Sequence, residues 1–138
     1  MSKHRTKSTY KDYSEYGVGS PTHRHVSATY DFLDSEVYNS LSLAAIAAFF
    51  NIHRNFNGYN HDNITCTRDK LCRKLSPTVW LNATKELEEK GIIDIVRRIG
   101  GKYPNIYQLS NRWKEVNKKL LAEKATIKPK TKGIRNAK

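Results

Sequence analysis

The stretch SPTVWLNATKELEEKG, from Ser76 to Gly91, has the features of a helix at both ends and along its length. Ser76 is a residue type that caps first-turn amides, Pro77 suits the first helical position, and Gly91 suits a left-handed helix end. Spacings of three and four residues also predict one buried stripe. That stripe consists of Val79, Trp80, Ala83, Thr84 and Leu87.

The opposite face of the predicted helix carries Thr78, Leu81, Asn82, Lys85 and Glu89. Three acidic residues, Glu86, Glu88 and Glu89, lie in the C-terminal half, and the N-terminal half is uncharged. Acidic residues are favoured at the opposite end, where the helix dipole attracts negative charge. This inverted distribution indicates that something negative approaches the N-terminal half.

Composition indicates one domain and a polyanionic partner. The chain has 138 residues and a formal net charge of +12, which suits one domain of ordinary size. Such an excess favours nucleic acid first and an anionic membrane surface second. Residues 26–63 carry one Arg and four acidic residues, whereas residues 64–114 carry eleven basic and five acidic ones. The positive part of the predicted domain therefore contains the quoted helix.

The two cysteines, Cys66 and Cys72, and the polar start of the chain do not indicate secretion. The most apolar stretch, from Leu43 to Phe50, is far shorter than the roughly 20 residues that cross a bilayer. We therefore expect a reduced, cytoplasmic protein with no membrane segment. Both cysteines are expected to be small buried residues.

Structure is expected to begin near residue 26, after a flexible basic arm over residues 1–25. Ser35 is predicted to cap a short helical turn, and Ser42 a longer helix from Leu43 to about Arg54. The stretch NFNGYNHDN is typical of a turn or loop, and ITCT of a short strand.

A second, shorter helix is predicted directly before the quoted one. Thr67 is its expected cap, and RDKLCRKL supplies about two turns, so the two helices have the spacing of a helix-turn-helix. After Gly91, IIDIVRRIG and NIYQLS predict two strands on either side of a basic loop, GGKYP. NRWKEVNKKLLAEKA predicts a further helix to Ala125, and residues 126–138 a basic disordered tail.

This ordered series resembles the winged helix-turn-helix domains of phage and plasmid replication proteins and small bacterial regulators. The resemblance covers about residues 26–114 and rests on FLDSEVYNSLSLAAIAAFF, NITCTRDKLCRKLS, NATKELEEKGIIDIVRRIGGKYPNIYQLS and the Arg112-Trp113 pair. It implies an α+β, mostly helical fold, with an antiparallel β-ribbon wing and an extra C-terminal helix. It also implies binding to double-stranded DNA, with the second helix in the major groove and the wing at the backbone or minor groove.

Residue chemistry then assigns candidate contacts to the three predicted parts of the DNA interface. Asn82 suits bidentate pairing with adenine, Leu81 suits a thymine methyl, and Thr78 and Lys85 suit bases or phosphates. The expected backbone contacts are Thr67, Arg68, Lys70, Arg73, Lys74 and Ser76. The expected wing contacts are Arg97, Arg98, Lys102 and Tyr103. The competing interpretation is a core Leu81 beside a merely solvated Asn82, with solvated charge elsewhere.

Other functional classes fit the sequence poorly. It has no glycine-rich phosphate loop and no recognisable nucleophile setting, so no enzyme and no cofactor is predicted. The His and Cys spacings do not match a zinc site. A single-strand or RNA binder needs more exposed aromatic residues than Tyr103 and Tyr107.

We therefore expect a sequence-specific double-stranded DNA-binding protein that acts by occupying its site. It would be a transcription regulator or a replication accessory or initiation factor of a phage, plasmid or other mobile element, and the 13-residue tail favours the regulator or accessory roles. The alternative is a protein interaction module on the same scaffold. The helix from Asn111 to Ala125 could pair with its twin in a homodimer or fold back on its own domain.

Overall fold

The computed structural model describes residues 13–19, 23–66, 74–98 and 104–136, with side chains described as far as residue 126. This part of the chain has an α+β fold that is mostly helical. A short 3-10 helix spans Ser14–Tyr16. The elements that follow are α1 (Tyr30–Leu33), α2 (Glu36–Asn39), α3 (Leu43–Arg54), β1 (Ile64–Thr65), α4 (Pro77–Glu89), β2 (Ile93–Val96), β3 (Ile106–Leu109) and α5 (Trp113–Asn136).

Three helices begin at the serine caps that the sequence predicted. The hydroxyl oxygens of Ser35, Ser42 and Ser76 accept hydrogen bonds from first-turn amides at the starts of α2, α3 and α4. Each bond satisfies a donor that has no partner within its own helix. α3 ends at Arg54 and α4 ends before Gly91, so both predicted helices are confirmed.

The three strands form one antiparallel sheet in the order β1-β3-β2. β3 is central, and its Tyr107 lies opposite Ile64 of β1 and Ile95 of β2. The three predicted strands are therefore present. The predicted turn after α3 is also present, because Gly58 has a φ of +95° and the Asn57 side chain accepts hydrogen bonds from the amides of Tyr59 and Asn60.

One hydrophobic core joins the helices to the sheet. Its largest fully buried side chains are Val37, Ile52, Ile64, Leu87 and Ile93. Cys66 is buried as well, as predicted, whereas Cys72 lies outside the described residues.

α5 folds back on its own chain at its N-terminal end. The Trp113 ring packs edge-on against Phe32, with centroids 5.1 Å apart. The Asn117 side chain accepts a hydrogen bond of 2.8 Å from the Glu36 amide, at the start of α2. Pairing of α5 with a second copy stays a prediction, and Leu121, which is 48% exposed, is among the residues left for it.

Helical structure is present in both terminal segments. The arm predicted to be flexible over residues 1–25 contains the helical turn Ser14–Tyr16, which Gly17 closes with a φ of +82°. α5 continues to Asn136, beyond the predicted end at Ala125. The residues beyond Ala125 include Pro129 and Gly133, which disfavour helix, so local propensity does not predict this extension.

Candidate nucleic-acid interface

α4 buries one face and exposes the other. Trp80, Ala83, Thr84 and Leu87 are buried in the core. The four predicted base-contacting residues, Thr78, Leu81, Asn82 and Lys85, are all exposed. Leu81 is 59% exposed, so the competing interpretation that made it a core residue is wrong.

The prediction that Val79 belongs to the buried stripe is also wrong. Its side chain is 39% exposed. Each residue advances about 100° around a helix, so Val79 lies at the edge of a stripe centred between Trp80 and Leu87. It also stands in the first turn of α4, next to the exposed Pro77 and Thr78. Its position adds an apolar group to the exposed face.

The buried face of α4 is tied to the sheet by one polar contact. The Trp80 indole N–H donates a hydrogen bond of 3.2 Å to the Tyr107 hydroxyl on β3. Burial raises the pKa of Tyr107, against the smaller effect of this hydrogen bond. The contact fixes the rotation of α4 about its own axis, which decides the side chains it presents to solvent.

Glu86 holds the C-terminal half of α4 against the start of α3. One carboxylate oxygen accepts a 2.8 Å hydrogen bond from the Ser42 amide, and the other accepts a 2.7 Å bond from the Ser42 hydroxyl. The Ser42 oxygen in turn accepts a hydrogen bond from the Ala45 amide at 3.1 Å. A negative charge at a helix N-terminus is favourable. The Glu86 carboxylate of α4 therefore stabilises the N-terminal end of α3.

Glu88 holds α4 to the end of β2 through Arg97. The Arg97 guanidinium donates two hydrogen bonds to the Glu88 carboxylate, at 2.8 and 3.3 Å. This contact lowers the pKa of Glu88 and raises that of Arg97. The Arg97 guanidinium therefore links α4 to the β2–β3 hairpin, and its contact with DNA stays a prediction.

Arg112 fixes the C-terminal end of α4 from the other side. Its guanidinium donates hydrogen bonds to the backbone oxygens of Glu88 and Ile93, at 3.3 and 3.2 Å, and to the Asp94 carboxylate. The Glu88 carbonyl also accepts a hydrogen bond from the Gly91 amide, so Arg112 adds a second donor at this helix end. Sequence analysis assigned no role to Glu86 or Arg112. The clustering of acids in the C-terminal half of α4 was the one signal of these contacts.

The predicted wing and the preceding helix are only partly within the described residues. The Arg98 amide donates a hydrogen bond of 3.1 Å to the Asn105 side chain, at the end of the hairpin where the loop begins. Lys74 and Ser76 are exposed just before α4. The remaining predicted contacts, Thr67, Arg68, Lys70, Arg73, Lys102 and Tyr103, lie outside the described residues.

The described part of the chain also bears on the other functional classes. Tyr107 is 4% exposed, so it is not a stacking platform for bases. Within residues 13–19, 23–66, 74–98 and 104–136, no group of three or more His, Cys, Asp or Glu side chains could hold a metal ion. Over the same ranges, no helix is both long and apolar enough to cross a membrane.

Comparison with known proteins gives no relative, because no family model, no curated protein and no solved structure matches this chain.

Proposed function

We propose that this protein is a winged helix-turn-helix that binds double-stranded DNA in a sequence-specific manner. The observation that carries the proposal is the exposed face of α4. A DNA-reading helix needs a buried stripe that holds it and short polar side chains that reach base edges. Trp80 and Leu87 belong to the buried stripe, and Thr78 and Asn82 are the short polar side chains on the exposed face.

The order of the elements supports this proposal. A helix, a strand, a serine-capped helix and a two-stranded hairpin follow one another along the chain, and the early strand pairs with the second strand of the hairpin. The first helix of the pair and the tip of the wing are predictions from the sequence, and most of their residues lie outside the described ranges.

The contacts around α4 give it a fixed position for docking. Glu88 is paired with Arg97, which offsets one acidic charge of α4, and the Glu86 carboxylate is hydrogen-bonded to the start of α3. The N-terminal half has no charge of its own, and its helix dipole favours negative groups. This half of α4 enters the major groove.

The protein acts by occupancy. Bound at its site, it blocks or nucleates the assembly of other proteins, as a regulator or replication accessory factor of a mobile element does. The net charge of +12 adds affinity that does not depend on sequence.

Selection of bound fragments from random duplex DNA tests the proposal. We expect a defined motif, with an affinity that falls steeply as salt rises, because each phosphate contact releases counterions. The variant Lys85→Gln should flatten the plot of log affinity against log salt by about 0.9 if Lys85 contacts a phosphate. Weak binding without a motif would overturn the proposal and favour a protein interaction module.

A further inference from the structure

The exposed face of α4 carries two apolar residues, Val79 and Leu81, beside the polar and charged residues Thr78, Asn82, Lys85 and Glu89. Leu81 is 59% exposed and Val79 is 39% exposed. At about 100° per residue, these two side chains lie about 160° apart around the helix axis, and Thr78 and Asn82 lie between them. The face therefore has a polar centre with an apolar group on each edge.

Neither apolar side chain can turn into the core without moving the whole helix. Trp80 and Ala83 are 4% and 2% exposed, and Trp80 is hydrogen-bonded to Tyr107 of the sheet. The C-terminal end is held by Glu86 on Ser42. Val79 and Leu81 are thus presented to solvent by a helix whose rotation is fixed at both ends.

The major groove offers one apolar group of matching size, the C5 methyl of thymine. An amide such as that of Asn82 matches adenine, whose partner base carries such a methyl. A branched valine at a helix position has one strongly preferred side-chain rotamer, which suits it to a fixed contact. Guanine and cytosine offer no such methyl, and an apolar edge placed against them would leave polar base atoms without partners.

We infer that the target site carries a thymine on each side of the base pair that Asn82 contacts, and that Val79 and Leu81 recognise the C5 methyls of these two thymines. This inference rests on the proposed function and narrows it to an A·T-rich core sequence. Val79 becomes a determinant of specificity, although sequence periodicity placed it in the core.

The test replaces single thymines of the selected duplex with uracil, which removes only the methyl. Each of the two flanking replacements should weaken binding of the unaltered protein about fourfold, the equivalent of ~0.8 kcal/mol per buried methyl-sized group. Uracil outside the core of the site should leave the affinity unchanged. This arm requires no altered protein, so a folding defect cannot explain its result.

Variants then assign each methyl to its side chain. For Val79→Ala, replacing thymine with uracil should no longer weaken binding at one flanking position but should still weaken it at the other. For Leu81→Ala, the two flanking positions should exchange these results. Leu43→Ala, at an 85% exposed leucine outside α4, is the matched control and should retain both effects.

The outcomes separate the two proposals. A protein that selects no motif contradicts the proposed function itself. A protein that selects a motif but binds uracil and thymine duplexes equally leaves DNA binding intact and overturns the inference. A motif whose flanking positions are G·C would also overturn it.

Discussion

Gly91 ends α4 in a conformation that other residues adopt at a cost. Its φ is +80°, and a Cβ atom built there would lie 2.7 Å from the Arg112 carbonyl carbon and 2.7 Å from the Trp113 nitrogen. The turn is closed by hydrogen bonds from the Ile92 amide to the Leu87 oxygen and from the Gly91 amide to the Glu88 oxygen. This pattern is a Schellman motif, which favours glycine.

We predict that Gly91→Ala lowers the free energy of unfolding by about 2 to 4 kcal/mol, from left-handed strain and backbone overlap together. Gly58→Ala is the control, since Gly58 has a φ of +95° but nothing within 4 Å of its Cβ position. It should cost only about 1 to 2 kcal/mol. Urea unfolding would measure both, and equal losses would contradict the role of the close contact.

His53 gives the stability of the fold a dependence on pH. The centroids of the His53 and Phe49 rings lie 4.0 Å apart. Burial lowers the pKa of His53 from 6.5, and this effect exceeds the opposite effect of a hydrogen bond with the Phe49 oxygen. The unfolded chain therefore binds this proton more tightly than the folded chain. Stability is fully present above pH 6.5 and is lost as pH falls through that value toward the lower folded pKa.

We predict that the free energy of unfolding of the unaltered protein declines as pH falls below 6.5. The variant His53→Phe, which retains a ring, should show a smaller decline. His61→Gln is the control, because His61 lies in an exposed loop. Denaturant unfolding at pH values on both sides of 6.5 gives the comparison. Parallel profiles for the unaltered protein and His53→Phe would refute the assignment.

At the scale of elements, Glu86 connects α4 to α3. We predict that Glu86→Ala lowers the free energy of unfolding by about 1 kcal/mol, because it removes the two hydrogen bonds from Ser42 and the negative charge at the start of α3, although the Ser42 cap itself remains. Glu89→Ala removes the same charge from an exposed position of α4 and should have a smaller effect. Thermal unfolding distinguishes the two variants, and equal changes would mean that the Ser42 contact adds nothing.

The Glu88–Arg97 pair connects α4 to the β2–β3 hairpin. Glu88→Gln removes a negative charge, which by itself would strengthen DNA binding. We predict instead that the affinity for DNA falls by up to about fivefold. A well-formed surface ion pair contributes up to ~1 kcal/mol, and this pair orients the hairpin. Titration of the selected duplex measures it.

Glu89→Gln is the matched control for this prediction, since it removes one acid from α4 and leaves the Arg97 contact intact. Its affinity should stay the same or rise slightly. If Glu88→Gln binds as tightly as Glu89→Gln, the pair has no part in positioning the hairpin.

These elements show which features the sequence could reveal. The caps at Ser42 and Ser76 and the stripe through Trp80 and Leu87 depend on neighbours within one or two turns, and sequence patterns record such neighbours. Ser42 and Glu86 are 44 residues apart, and no local pattern pairs them. No local pattern predicts the Glu88–Arg97 pair either, because its two residues belong to different parts of the fold.

In the whole molecule, basic charge contributes affinity for a polyanion, and the fold contributes specificity. The excess of basic residues lies in residues 64–114 and at both ends of the chain. Such charge predicts a polyanion but says nothing of specificity. Specificity requires side chains in fixed positions, and the contacts around α4 supply these. Val79 is exposed because it lies at the edge of the stripe and in the first turn of α4, and the spacing pattern did not distinguish the edge of the stripe from its centre.

The most direct test of this account compares base preferences, position by position, for the unaltered protein and Asn82→Ala on the selected duplex. The account predicts that Asn82→Ala loses about 1 to 3 kcal/mol of discrimination at one A·T position and keeps it elsewhere. Asn63→Ala, in the exposed loop before β1, should leave the base preference unchanged at every position. Equal weakening at every position, or no change, would contradict the claim that α4 reads bases.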